Sequence, residues 1–151
     1  MKTYIVGNGG FAVEVLEWLT AASFNSKFEG FVVAPGSVER SLSNCPCIDE
    51  DALPRNEKIA IYFAIGSPTI RRKVVANLKS KYPSSVFPNL IHPTALISET
   101  AELGEGNLFM PYSIVCPWVK IGSFNVLNLY ASLGHEAELA SFCTLSPYAT
   151  L

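Results

Sequence analysis

A small α/β unit followed by a parallel β-helix is the fold class the sequence predicts, and three observations carry it. From Ile91 onward every sixth residue is apolar: Ile91, Ile97, Leu103, Phe109, Val115, Ile121, Leu127, Leu133, Leu139, Leu145 and Leu151. Four places after the rungs stand Ala95, Ala101, Asn107, Ser113, Val119, Asn125, Ala131, Ala137, Cys143 and Ala149, so a second column is restricted to small or short side chains. Ahead of the ladder, Lys2 to Val6 is a short apolar strand that runs into Gly7-Asn8-Gly9-Gly10 and then into residues with helical spacing. In a chain that is 49% hydrophobic, an unbroken ladder of that length arises by chance on the order of one time in two thousand, and a fixed period outranks other signals. A six-residue step is a whole number of strand periods and fits no helix. It suits short strands joined by tight turns, each coil resting on its neighbour.

The elements follow in order. The first strand leads through the glycine turn to Phe11 and Ala12 and a helix to about Ala22, with Val13, Leu16 and Leu19 spaced as an apolar face. Glycines allow close approach of a ligand, and the free N–H groups of a first helical turn can receive a phosphate. Such turns also occur with no ligand. A second strand is predicted from about Phe28 to Val33. A nicotinamide-binding unit would place an acid at its end to hold the ribose; here the chain reads Val32-Val33-Ala34-Pro35, so a dehydrogenase is not expected. Asp49, Glu50 and Asp51 read as a helix start or solvated surface in a polar loop. A strand from Lys58 to Ala64 precedes Ile65-Gly66-Ser67-Pro68, where Ser67 caps a helix beginning at Pro68 with Ile70, Val74 and Leu78 on its apolar face. Arg71 has two readings: a solvated cation, or one that faces an anion at the strand ends beside Gly66. A last short strand near Ser85 to Phe87 leads into the ladder. The predicted division is a Rossmann-like α/β domain over 1–88 and a β-helix over 89–151.

Composition excludes several classes. A net charge of −2 leaves no electrostatic footprint for nucleic acid or acidic membrane. No stretch is long and apolar enough for a membrane span, the N-terminus does not read as a signal peptide, and the cytoplasm is the expected location. Cys45, Cys47, Cys116 and Cys143 are scattered and read as reduced structural thiols, Cys143 being a packing residue of the small column; no metal cluster is visible.

Within the ladder, Asn128 and the segment Gly134-His135-Glu136 depart from routine filling. His135 stands two places after Leu133, off the interior column, while His92 beside Pro93 reads as structural. An imidazole can take a proton from a hydroxyl or ammonium acceptor near neutral pH, and a neighbouring carboxylate can fix its tautomer. A surface His-Glu dipeptide by itself carries no such meaning.

Taken together, Gly7-Asn8-Gly9-Gly10-Phe11-Ala12, Ala64-Ile65-Gly66-Ser67 with Ile70-Arg71, Leu90-Ile91-His92-Pro93-Thr94-Ala95, and Asn128 to Glu136 resemble the sialic acid O-acetyltransferase and UDP-amino-sugar N-acetyltransferase family of bacterial glycan pathways. The resemblance runs along the whole chain, and the order of the motifs is more specific than any one of them. It implies a trimer of left-handed β-helices with active sites between subunits, acetyl-CoA as donor and no metal. It also implies an acceptor sugar whose nucleotide rests on the N-terminal unit, against Gly7, Asn8, Gly9, Gly10, Phe11, Gly66, Ser67 and Arg71. By position His135 would be the general base, Glu136 its orienting carboxylate and Asn128 a contact to base or acceptor. Thr144 stands where some relatives carry a second histidine near the acetyl-CoA thioester. The acceptor hydroxyl or amine would attack the thioester directly, without an acyl-enzyme.

Relatives of this kind continue for several more coils, whereas this sequence stops at Leu151 on a core position without a polar cap. The expectation is a truncated β-helix, as a fragment of a longer protein or a shortened relative whose open end another chain covers. A second function class accordingly stands beside the enzyme: a trimeric sugar-nucleotide-binding or scaffold module that no longer binds CoA.

Overall fold

The computed structural model describes residues 1–22, 27–37 and 41–151. Its first part is a five-stranded sheet built from β1 (Lys2–Val6), β2 (Lys27–Val33), β3 (Ser41–Leu42), β4 (Cys45–Asp49) and β5 (Ile59–Phe63), in the order β3-β4-β2-β1-β5. All pairings are parallel except β3 with β4. The apolar runs of β1 and β5 are buried almost throughout, as expected of strands covered on both faces. Two helices flank the sheet: α1 (Gly10–Ala21) and α2 (Pro68–Lys81). A single parallel bridge, Ala60 to Val86, stands where a last short strand was expected.

Three sequence expectations change here. Asp49, read with Glu50 and Asp51 as a helix start or solvated surface in a polar loop, does cap a short 3-10 turn over Glu50–Ala52, but it also ends a strand beside β2, with Phe31 opposite Cys47 and Val33 opposite Asp49. Pro46 argues against a strand in the sequence, yet here it lies opposite Ser41 in a two-residue antiparallel pair that needs few of its ladder bonds. The buried stripe of α1 is Ala12, Val15 and Leu19, so Leu19 and the flanking Val15 are buried as expected while Val13 and Leu16 are half-buried. In α2 the buried stripe is Arg71, Val75 and Leu78, and Ile70 is left exposed. That rotation follows from what Arg71 binds, described below.

From Leu90 the chain changes to two-residue strands every six residues: β6 (Leu90–Ile91), β7 (Leu96–Ile97), β8 (Glu102–Leu103), β9 (Leu108–Phe109), β10 (Ile114–Val115), β11 (Lys120–Ile121), β12 (Val126–Leu127), β13 (Ser132–Leu133), β14 (Glu138–Leu139) and β15 (Thr144–Leu145). They stack as three parallel sheets, β6-β9-β12-β15, β7-β10-β13 and β8-β11-β14, the three faces of a prism. Partners such as Leu108 and Val126 lie three hexads apart, so one coil takes three repeats.

The interior column is filled by Phe109, Val115, Ile121, Leu127, Leu133, Leu139 and Leu145, all at most 8% exposed. At the ends of the ladder Ile91 and Leu151 are 40% and 60% exposed, because each has a coil on one side only. The short-residue column turns inward at the corners, where Asn107, Ser113, Val119, Asn125 and Ala131 are fully buried. Its asparagines bond up the stack: Asn125 N–H donates to Asn107 Oδ1 at 2.8 Å and Cys143 N–H to Asn125 Oδ1 at 2.7 Å.

Just before each of these positions sits a residue with left-handed backbone, and most are aromatic: Tyr112, Trp118, Phe124, Tyr130, Phe142 and Tyr148, with Gly106 and Glu136 the exceptions. That conformation costs an L-residue roughly 1–2 kcal/mol. Ring stacking between successive coils offsets part of it: Tyr112 on Tyr130 and Tyr130 on Tyr148 at 4.9 Å, and Phe124 on Phe142 at 5.4 Å.

At this corner in an earlier coil Gly106 has φ +67°, and a Cβ there would come within 2.5 Å of the Phe124 ring. Gly106→Ala should therefore destabilise the protein by about 1–3 kcal/mol, read as a lowered urea midpoint with unchanged slope. An unchanged midpoint would show that the Phe124 ring moves aside freely.

The two parts share their cores. Phe63, Phe87 and Phe124 meet with centroids 5.6–5.8 Å apart. Leu90, Leu108, Met110 and Val126 of the β-helix pack with Ile5, Phe31, Ala60 and Tyr62 of the α/β unit.

Candidate active site

The corner after β13 carries Gly134, His135 and Glu136. Glu136 takes the left-handed position, φ +63°, and its N–H donates to Pro117 O at 3.1 Å, which seats the pair one coil away from Pro117-Trp118. His135 and Glu136 side chains are 76% and 72% exposed, and His135 Nδ1 lies 3.3 Å from Glu136 Oε2. A proton on Nδ1 would face the carboxylate and leave Nε2 as the basic nitrogen, open to solvent. Asn128 occupies the preceding corner of the same coil. Its Oδ1 accepts from Leu129 N–H at 2.8 Å, and its own N–H donates to Leu145 O at 3.1 Å. No hydrogen bond described within the chain joins it to His135. His92 accepts at Nδ1 from Thr94 N–H at 3.2 Å, and burial lowers its pKa, consistent with a turn-forming residue.

The glycine turn forms a separate feature. Gly7 has φ +139°, its N–H donates to Val32 O at 3.1 Å, and a Cβ would stand 2.7 Å from Ala64 O. No other residue type fits there without displacing β5. Gly9 caps α1, and neither it nor Gly10 meets any atom within 4 Å of an added Cβ. Gly7, Asn8 and Gly9 border a cleft of about 350 Å³ whose walls include Val32, Val33, Ala34, Ile65, Ile70 and Val74, with Glu50 also lining it. Phe11 packs instead with the residues around Ile5 and Val15. A larger groove of about 580 Å³ runs along the β8-β11-β14 face past Glu102, Lys120 and Glu138, but no candidate residue borders it.

Arg71 does not point at an anion site. It is 1% exposed, and every N–H of its guanidinium is engaged by protein: Nε with Phe124 O at 2.9 Å, Nη1 with Ile65 O and Gly66 O at 2.6 and 3.3 Å, and Nη2 with Cys143 O and Thr144 Oγ1 at 2.9 and 3.1 Å. Burial pulls its pKa down to about 10, which still leaves it cationic at neutral pH. The expectation that Arg71 faces a ligand fails because the β-helix brings three acceptors to it. The same contact engages two further expected site residues. Thr144 Oγ1 accepts from Arg71 and donates to Gly66 O at 3.3 Å, and Ser67 Oγ accepts from Ile70 N–H at 3.5 Å as the cap of α2. Gly66, Arg71 and Thr144 thus join the two units, Ser67 caps α2, and Gly7, Asn8 and Gly9 border the cleft.

Both parts of the chain are similar to solved structures. The acetyltransferase domain of PglB from Neisseria gonorrhoeae FA1090 matches over 99% of this chain and 72% of its own, at 26% identity and a TM-score of 0.87. PerB from Caulobacter crescentus, solved with CoA and GDP-perosamine, matches over 99% and 70% at 26% identity and a TM-score of 0.86. The fold is shared with bacterial sugar acetyltransferases. The PglB domain was also solved with acetyl coenzyme A, at 25% identity and a TM-score of 0.84. Both neighbours match from the α/β unit through the last coil, so the likeness takes in the glycine turn and the His135 corner together. No family model and no curated protein sequence matches the chain. No helix among the described residues is long and apolar enough to cross a membrane, and no group of three or more His, Cys, Asp or Glu among them is placed to hold a metal ion.

Proposed function

We propose that this protein is an acetyl-CoA-dependent sugar acetyltransferase, in which a left-handed β-helix carries the chemistry and the N-terminal unit, a Rossmann-like domain over 1–88, holds the nucleotide of the acceptor. The observation that carries the reading is the likeness along the whole chain to acetyltransferases solved with acetyl coenzyme A and with GDP-perosamine. The parallel strands of the sheet, taken in chain order, stand 3-2-1-4, the order of the first four strands of a doubly wound nucleotide-binding sheet.

The chemistry requires little of the protein. His135 Nε2 takes the proton as the acceptor hydroxyl or amine attacks the thioester carbonyl. A C–O or C–N bond forms, the C–S bond breaks, and the proton passes to the departing CoA thiolate. Glu136 stabilises the imidazolium as it forms and holds its orientation. Asn128, on the neighbouring corner, would meet His135 across a threefold assembly rather than within one chain, which fits a site shared between copies. Thr144, with its hydroxyl engaged by Arg71 and Gly66, would offer acetyl-CoA only its methyl group and backbone.

Calorimetric titrations with CoA and with sugar nucleotides test the reading. Binding of both is expected. Sugar-nucleotide binding without any binding of CoA would overturn it in favour of a scaffold or binding module.

A further inference from the structure

The second strand ends in Val33-Ala34 and carries no acid, yet the cleft has one. Glu50 reaches it from the end of β4, the next strand over. It is 7% exposed, and a carboxylate is almost never buried to that extent unless paired. Its position is held from several sides. Asn77 Nδ2 and Lys81 Nζ donate to Oε1 at 2.6 and 2.7 Å, Tyr82 Oη donates to Glu50 O at 2.6 Å, and Asp49 Oδ1 caps the following turn through Asp51 N–H at 2.9 Å. The bond to Glu50, and then that to Asp51, holds the Lys81 ammonium above its ordinary range. Both side-chain bonds to Glu50 fall on one oxygen, and an ionised carboxylate has about four acceptor sites.

Sheet geometry says which part of a nucleotide would meet Glu50. The glycine turn follows β1, β2 lies beside β1, and β4 lies beside β2. At about 4.8 Å per strand, Glu50 stands roughly 10 Å across the sheet from the phosphate-receiving turn. An acid at the end of β2 would meet a ribose, one strand from the phosphate; one strand farther lies the base. The cleft walls include the apolar side chains of Val32, Val33, Ile65, Ile70 and Val74, which suit a planar ring. With Oε1 taken by Asn77 and Lys81, the acceptor sites on Oε2 suit two adjacent N–H donors that converge on one oxygen. Guanine presents that edge through N1–H and N2–H. Uracil and thymine set a single N–H between two carbonyl oxygens, and adenine and cytosine place a ring acceptor beside their amino group.

We infer that Glu50 reads the base of the bound nucleotide and selects guanine, so that the acceptor is a guanosine-diphosphate sugar. This rests on the cleft being the nucleotide site. Calorimetry on the wild-type chain with GDP, inosine diphosphate, UDP and 2′-deoxy-GDP tests it. Inosine diphosphate lacks only the N2 amino group. It is expected to bind about tenfold or more weakly than GDP, UDP weaker still, and 2′-deoxy-GDP like GDP. Glu50→Gln should bring GDP and inosine diphosphate to within about threefold of each other, with circular dichroism unchanged. Equal binding of GDP and inosine diphosphate by the wild type would overturn the inference and leave the nucleotide cleft standing. So would a loss on removing the 2′-hydroxyl without a loss on removing N2. If no nucleoside diphosphate bound, the reading of the cleft itself would fall, and the base assignment with it.

Discussion

Replacing His135 by alanine is expected to slow acetyl transfer by about 10²–10⁴-fold, the usual contribution of a positioned general base, while the protein keeps its stability. The side chain is 76% exposed and its one described side-chain contact is with Glu136, so removing it opens no cavity and leaves no buried group unpaired. Exposed substitutions of this kind shift stability by about 0.5 kcal/mol or less. The loss should fall on kcat, because the base acts on the proton in flight and contributes little to holding either substrate. Glu136→Gln keeps the corner geometry and removes the charge that favours the imidazolium; a smaller loss in kcat is expected from it. Unchanged turnover in His135→Ala, with the wild-type unfolding curve, would remove His135 from the mechanism.

Replacing Arg71 by alanine should produce the largest stability loss, about 3–5 kcal/mol in urea denaturation. The guanidinium closes the joint between the two units through the carbonyls of Phe124 and Cys143 on one side and those of Ile65 and Gly66 on the other. Each carbonyl stranded in a dry interior costs about 1–3 kcal/mol, with partial relaxation reducing the sum. Lysine restores the charge but has three donors radiating from one atom, so it cannot span anchors that a planar fork reaches together. Arg71→Lys should recover only part of the loss. A midpoint within experimental error of wild type for Arg71→Ala would mean that the units are held by the aromatic contacts alone.

The contrast between Arg71 and the ladder shows what a sequence of this kind reveals. Leu127 and Leu133 announce themselves because each coil places one residue per face into the interior, so the chain repeats its own environment every six positions. The glycine turn is legible for a similar reason, being complete within a few consecutive residues. Arg71 is different: its partners Phe124, Cys143 and Thr144 lie 53, 72 and 73 residues away, and Ile65 and Gly66 alone are near it in sequence. A cation beside a glycine turn suggests an anion, and the acceptors that actually claim it come from another unit. Glu50 is hidden for a local reason, since Pro46 argues against the strand that delivers it to the cleft. The aromatic stacks are not legible at the six-residue period because Tyr112, Tyr130 and Tyr148 pair at three times the repeat.

The two sites place different demands on the chain. His135 is exposed and surrounded by turn residues, so its geometry depends on the regular climb of the coils and on Glu136 bonding to Pro117 O at 3.1 Å. The cleft depends on Gly7 lying against β5 and on α2 being rotated by Arg71, which leaves Ile70 and Val74 as cleft walls. Packing between the units therefore shapes the cleft directly and the proposed base only through the stack.

The most direct measurement is acetyl transfer itself. Wild-type protein incubated with acetyl-CoA and a panel of GDP- and UDP-linked sugars bearing free amines or hydroxyls, read by mass spectrometry, should yield one acetylated sugar nucleotide with free CoA in equal amount. A panel in which no sugar nucleotide gains an acetyl group, although the protein binds both acetyl-CoA and a member of the panel, would contradict the assignment as an acetyltransferase.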